Sequence, residues 1–148
     1  MSAIASPTMN SQALLDHLEM IENEKVKVIE KFFSGETEEK REFEAYINHY
    51  IFEVQQRIKD FENDSNKYHH PFVIIGSIVE VEDLEDGEVM RLDIISPFFK
   101  DTDYTLDCAS YLSPIGRGLL LKGLGDIARI DTPTGSIEYK IKLIENPI

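Results

Sequence analysis

The chain has one cysteine in 148 residues, so it can form no internal disulfide and offers no cysteine pair to zinc. A reducing, cytoplasmic setting fits that usage. Basic residues are scarce: 15 Lys and Arg face 28 Asp and Glu, for a formal net charge of −13. Residues 1–70 hold 14 acids and 8 bases, and residues 71–148 hold 14 acids and 7 bases, so neither half is basic. Unaided binding to duplex DNA is therefore not expected, because it needs Lys and Arg to displace counterions from phosphate. An acidic surface suits a protein partner with basic patches, or a site that already holds metal ions. No apolar run reaches membrane-spanning length. The start, Met1-Ser2-Ala3-Ile4-Ala5, lacks the basic region and the apolar length of a signal peptide and reads as a frayed leader. Internal repeats and low-complexity segments are also missing. So are a Ser/His/Asp arrangement in recognisable context, a phosphate-cradling Gly-rich loop and zinc-ligand spacing, and nothing marks the chain as an enzyme in its own right.

What is present is an apolar fraction of 42%, enough for a globular core, and a change of period halfway along. Between Thr8 and Ser34 there is neither Pro nor Gly. Leu14, Leu18, Ile21, Lys25, Val28 and Phe32 recur at spacings of four and three, a coiled-coil seam with one charged intruder. Ser11 is the expected N-cap, with Ser6-Pro7 as an earlier start. Ser34-Gly35 stops the run, Gly35 being suited to a left-handed C-terminal cap. Thr37 caps a second run, with Glu38 and Glu39 in its first turn. Phe43, Ile47, Tyr50, Val54, Ile58 and Phe61 form the return seam, which ends near Asn63-Asp64-Ser65-Asn66. So short a connection makes the two helices antiparallel neighbours. Ile29, Phe33, Ile51 and Phe52 are left to pack elsewhere or at an interface. The tip, residues 35–43, carries Glu36, Glu38, Glu39 and Glu42.

After His69-His70-Pro71 the period becomes two. Phe72–Ile75 reads as a short strand, Ile78–Glu82 as an alternating one, and Leu84–Gly87 as a turn. Met90, Leu92 and Ile94 share a strand face, residues 96–107 are irregular, and Ser113-Pro114 starts a helix through Leu119-Leu120-Leu121 to Lys122-Gly123. Asp126–Asp131 is a strand, Thr132-Pro133-Thr134-Gly135 a hairpin turn, and Ile137, Tyr139, Ile141 and Leu143 one face of the last strand. Cys108 reads as a small buried residue. The expected fold is α+β: a helical hairpin over residues 1–67, then a mainly antiparallel sheet with one helix over residues 68–148.

Four fragments in order resemble the GreA/GreB family of transcription cleavage factors. They are Gly76-Ser77-Ile78-Val79-Glu80-Val81, Ser113-Pro114-Ile115-Gly116-Arg117-Gly118-Leu119, Gly125-Asp126, and Thr132-Pro133-Thr134-Gly135 with Glu138-Tyr139. The resemblance covers nearly the whole chain. It implies an FKBP-like second domain that docks at the rim of the secondary channel of bacterial RNA polymerase, and a coiled coil that enters that channel. It further implies that tip carboxylates help hold a catalytic Mg²⁺ of the polymerase and a water, so that the polymerase cuts the 3′ end of backtracked RNA by two-metal hydrolysis. Mg²⁺ needs only one or two well-placed carboxylates beside its waters. The family's tip motif reads Gly-Asp-Leu-x-Glu-Asn-x-Glu-Tyr. Here Gly35 matches the glycine, Glu36 stands at the aspartate, Glu39 and Glu42 match the glutamates, and Phe43 replaces the tyrosine. Thr37 and Lys40 replace the leucine and asparagine. By this resemblance Glu36 and Glu39 are the functional pair, Glu38 and Glu42 support them, and Ser113, Pro114 and Ile115 belong to the polymerase-docking surface. The expectation is a protein that binds no metal of its own and works as a monomer with the polymerase's Mg²⁺.

Each of these residues also has an ordinary reading. Glu38 and Glu39 suit a helix N-terminus whatever else they do, worth a few tenths to about 1 kcal/mol each. Lys25, Lys27 and Lys31, interleaved with Glu22, Glu24 and Glu30, read as a solvated helix face before they read as an RNA guide. His17 and His49 read as seam or surface residues, and His69-His70 as linker. An FKBP-like fold does not by itself make a prolyl isomerase. Three functions stay open on the sequence: stimulation of transcript cleavage, channel occupancy without cleavage, which the altered tip and arms about one turn shorter than the family's favour, and a self-associating adaptor.

Overall fold

A computed structural model describes residues 9–63, 71–98 and 107–147, which fall in two compact units, 9–63 and 71–147. The leader, the Ser6-Pro7 start, Asp64-Ser65-Asn66, the boundary at 67/68, His69-His70 and residues 99–106 lie outside the described residues.

The first unit is α1 (Ser11–Phe32) followed by α2 (Glu38–Asn63). The N-cap of α1 is Asn10 rather than Ser11: the Asn10 carboxamide oxygen accepts from the Ala13 amide at 2.8 Å, and the Asn10 carbonyl accepts from Leu14 N at 3.1 Å. Asn and Ser cap about equally well, so composition alone could not rank them. Leu14, Leu18, Ile21 and Val28 are buried on α1, and Phe43, Ile47, Tyr50, Val54 and Ile58 on α2, in agreement with the seam spacing. Ile51 is buried beside them, while Phe52 is 53% exposed. Lys25 holds its seam position by reaching outward: its ammonium donates to Asn48 Oδ1 on α2 at 2.9 Å and pairs with Glu22 at 3.6 Å.

Two seam expectations are corrected at the turn. Phe32 is 47% exposed, because α1 ends there and the chain turns extended at Phe33. The Phe33 ring instead stacks on Phe43, centroids 5.5 Å apart and planes 25° from parallel. Gly35 has φ +78°, but Phe33 already caps the helix, so the glycine shapes the connection rather than the C-terminal cap. Deeper in the unit, His17 is 2% exposed, and its Nε2 shares a 2.8 Å hydrogen bond with the Tyr50 hydroxyl. Its Nδ1 is buried with no hydrogen-bond partner among the described residues. Loss of hydration disfavours the imidazolium and lowers the pKa to about 4.

The second unit has five strands and one helix: β1 (Ile78–Asp83), β2 (Val89–Ile95), β3 (Asp107–Ser110), α3 (Pro114–Leu119), β4 (Ile127–Thr132) and β5 (Gly135–Glu145). The sheet order is β3-β2-β1-β5-β4. All neighbours are antiparallel except β2 and β3, so the sheet is mixed. A parallel pair needs a connection of about a dozen residues, and β2 and β3 are separated in the sequence by residues 96–106. α3 packs against β3 and β4, the two edge strands, so the sheet curls around it. The glycines of the Ser113–Leu119 motif make that contact possible: a Cβ on Gly116 would overlap the Ser110 carbonyl oxygen on β3, and one on Gly118 would overlap the Ile130 side chain on β4.

Four further expectations change. Phe72–Ile75 is buried but not a strand; Phe72 forms one bridge to Gly123, and Val73 exchanges backbone bonds with Lys122 and Leu121 at 2.9 and 2.8 Å. α3 ends at Leu119, with Leu120 as cap and Leu121 at φ +72°, so the apolar run Leu119-Leu120-Leu121 serves the core without extending the helix. Cys108 is exposed, because it lies on edge strand β3, where its neighbour Ala109 takes the buried face. In β5 the register against β1 shifts between Glu80 and Val81, which makes Ile144 rather than Leu143 the buried residue after Ile141. One extra residue in a strand reverses the alternation beyond it.

Candidate functional site

The hairpin tip is a five-residue connection, residues 33–37, leading into α2. Thr37 organises it. Its hydroxyl accepts from Lys40 N at 3.2 Å and its carbonyl from Arg41 N at 3.1 Å, so the first turn of α2 is anchored at the cap. Helical geometry then sets the directions of Glu38, Glu39 and Glu42. All three are exposed, and none forms a side-chain hydrogen bond or ion pair among the described residues.

Glu36 differs. It sits just before the cap, and its Oε1 accepts from Lys40 Nζ at 2.6 Å. The hydrogen bond from Lys40 and then its charge lower the Glu36 pKa, and the same hydrogen bond raises that of Lys40. The four carboxylates therefore form two kinds: Glu36 is held by a cation, and Glu38, Glu39 and Glu42 have no side-chain partner among the described residues. Among the described residues, no three His, Cys, Asp or Glu side chains converge closely enough to hold a metal ion.

The other candidate residues lie at the start of α3. Ser113 is occupied within the fold: its hydroxyl donates to the Ser110 carbonyl at 2.7 Å and accepts from Gly116 N at 3.1 Å. Pro114 at the first helical position is exposed and Ile115 is half-buried. Pro114 and Ile115 thus offer surface, while Ser113 shapes the turn that presents them.

Three polar groupings escaped the reading of the sequence. The Glu36–Lys40 pair follows an i,i+4 spacing that could have been noticed. The His17–Tyr50 bond joins residues 33 apart in the chain and has no local signal. At the β4–β5 turn, the Asp131 carboxylate accepts from Ser136 Oγ at 2.7 Å and Arg129 Nε at 3.4 Å, which lowers its pKa. That arrangement closes a hairpin, and its partners come together only through strand register.

Residues 68–146 match the model of the C-terminal domain of the transcription elongation factors GreA/GreB. The chain is 30% identical over 152 residues to the transcription elongation factor GreA of Nitratidesulfovibrio vulgaris, covering 95% of this chain and 94% of that one. It is 33% identical over 126 residues to GreA of Clostridium botulinum, covering 80% and 76%. The solved GreA/GreB factor of Nitrosomonas europaea shares the fold, with a TM-score of 0.52 and 18% identity over 86% of this chain and 93% of that one. No described helix is long and apolar enough to cross a membrane. With the family model spanning more than half the chain and a relative matched almost end to end, the protein belongs to the GreA/GreB family of transcription elongation factors.

Proposed function

We propose that this protein works in the cytoplasm, as a monomer, by inserting its helical hairpin into the secondary channel of bacterial RNA polymerase and stimulating cleavage of the backtracked RNA 3′ end. The polymerase supplies the Mg²⁺ ions, which stabilise the attacking and leaving oxygens. The chain's own part is positional. The 22 residues of α1 reach about 33 Å at 1.5 Å per residue, which makes the hairpin a probe. Thr37 fixes the first turn of α2, and that turn presents Glu39. Glu36, three positions earlier, supplies the second carboxylate once it exchanges the Lys40 ammonium for the metal. Glu38 and Glu42 add negative charge around them. Pro114 and Ile115, on the turn shaped by Ser113, form part of the docking surface.

The observation that carries this reading is Glu39: an exposed carboxylate with no partner among the described residues, on an anchored first turn, at the motif position of the family's glutamate. The test is a cleavage assay on a stalled, backtracked elongation complex with Mg²⁺ and increasing protein. Faster shortening of RNA 3′ ends than with polymerase alone is expected. It should fall by on the order of 10- to 100-fold in Glu39→Ala, the usual cost of losing a group that supports a metal. Cleavage that persists in the Glu36→Ala, Glu39→Ala double variant removes the tip assignment.

One observation favours a second reading, channel occupancy without cleavage: the Glu36 carboxylate is bonded to Lys40 at 2.6 Å. No acceleration, together with competition against an active cleavage factor for the polymerase, selects it.

A further inference from the structure

The buried polar side chains among the described residues are His17, Ser77 and Ser96. Serine hydroxyls keep their protons across this range. Among the described residues His17 is therefore the buried group whose charge can change between pH 7 and pH 5. It belongs to the hairpin unit, not to the sheet unit. Its ring meets that of Tyr50 on α2 edge-on, centroids 6.0 Å apart and planes at 77°, and its Nε2 shares the 2.8 Å hydrogen bond with the Tyr50 hydroxyl. Side-chain hydrogen bonds join α1 to α2 here and at Lys25–Asn48, so His17 is part of what fastens the two helices. Its buried Nδ1 has no hydrogen-bond partner among the described residues. A neutral ring with its proton on Nε2 leaves only an acceptor unmet. An imidazolium carries a proton on each nitrogen, and its Nδ1–H would bring a charge into the seam with nothing to receive it.

The surrounding charges do not offset this. On α1, Ala13, Leu14, Met20 and Ile21, one turn either way, carry none, and Glu24 lies two turns on. On α2, Tyr46, Glu53 and Arg57 share the side of Tyr50, and Glu53 and Arg57 pair with each other at 3.5 Å. Loss of hydration alone accounts for the lowered His17 pKa of about 4, with no carboxylate acting against it.

We infer that His17 is an acid-released catch on the hairpin: protonation of its imidazole separates α1 from α2 and leaves the sheet unit folded. The imidazolium regains water only when the helices part, so proton uptake and opening are one event. The catch holds fully above pH 6.5 and is released progressively as pH falls toward 4. Acid then disables the half of the chain that the reading above makes the probe and spares the half it makes the docking surface. That consequence rests on the reading; the catch itself does not.

The test is native-state hydrogen exchange by NMR on the full chain at pH 7, 6 and 5, corrected for the intrinsic pH dependence of exchange. The seam amides of Ile21 on α1 and Val54 on α2 are compared with those of Ile94 and Ile141, which donate at 2.9 Å within the sheet unit. From pH 7 to pH 5 the opening constant of the hairpin should rise roughly 20-fold, the factor that linkage gives for a group moved from 6.5 to about 4. The sheet amides should keep their protection. His17→Leu should abolish the rise, and His49→Leu, at an exposed histidine of α2, should retain it. Unchanged hairpin protection overturns the catch, as does an equal loss in both units or a rise that survives in His17→Leu. The ring carbon shifts of His17 in the natural protein give a second measurement that needs no variant: they should report a neutral imidazole for as long as the hairpin amides stay protected. A ring that becomes charged while those amides stay protected overturns the catch. Neither measurement involves the polymerase. A failed cleavage assay with the pH effect intact removes the cleavage reading and leaves the catch, and cleavage without the pH effect does the reverse.

Discussion

The start of α3 and the tip of the hairpin both carry family motifs, yet their residues are held by different things. Around α3 the motif is used up by the fold. Gly116 and Gly118 exist to admit the Ser110 carbonyl and the Ile130 side chain, and Ser113 spends its hydroxyl on two backbone groups. At the tip, Thr37 alone is needed to cap a helix, and Glu38, Glu39 and Glu42 face solvent with nothing to hold among the described residues. A motif residue that packing explains says little about function. One that packing leaves free is where function is to be sought, and by that measure Glu39 outranks Ser113.

The contrast can be broken at its strongest point first. Gly116→Ala should destabilise the sheet unit by about 3 kcal/mol or more, since backbone must move to admit the methyl group; an unchanged urea midpoint would mean that α3 is not held as described. Next comes pH. His17 has a pKa of about 4 in the folded chain against an ordinary value of 6.5, so between these values the unfolded chain binds the extra proton. The stabilisation is complete above pH 6.5, is lost progressively as pH falls toward 4, and amounts to on the order of 3 kcal/mol. Thermal melts from pH 7 to pH 4 should show that loss, and His17→Leu should flatten it.

Smaller effects probe the polar links. The Ser77 hydroxyl accepts from Ile74 N at 2.9 Å and donates to Asn146 Oδ1 at 2.6 Å. Ser77→Ala strands a buried amide and should cost about 1–3 kcal/mol by denaturant titration. Thr37→Ala removes a cap and should cost about 1 kcal/mol of hairpin stability, read as a lower melting temperature. Glu39→Ala should change stability by less than about 0.5 kcal/mol, as exposed substitutions do, while the proposed cleavage stimulation falls by on the order of 10- to 100-fold. A large stability loss in Glu39→Ala would place that residue with Ser113 and dissolve the comparison.

The amino-acid order alone determined the two helices and their seam, the β1, β2, β4 and β5 strands, the Ser113 cap and the turn at Thr132–Gly135. Each depends on contacts a few residues apart, where period, capping chemistry and turn preference act directly. The positions of the tip carboxylates were legible for the same reason, because a cap and the helical rise place them without help from the rest of the chain. Tertiary structure decided what depends on distant partners. β3 was hidden because a parallel edge strand gains its bonds from β2, a partner distant in the sequence, and Cys108 is exposed because that strand is an edge. The bulge that exchanges Leu143 for Ile144 exists only in the register of β5 against β1. The burial of His17 against Tyr50, and the choice of Phe33 over Phe32, were settled by which side chains the returning helix brings near. Local rules determine which elements form, but burial belongs to pairs of elements, and no single stretch of sequence contains both members of a pair.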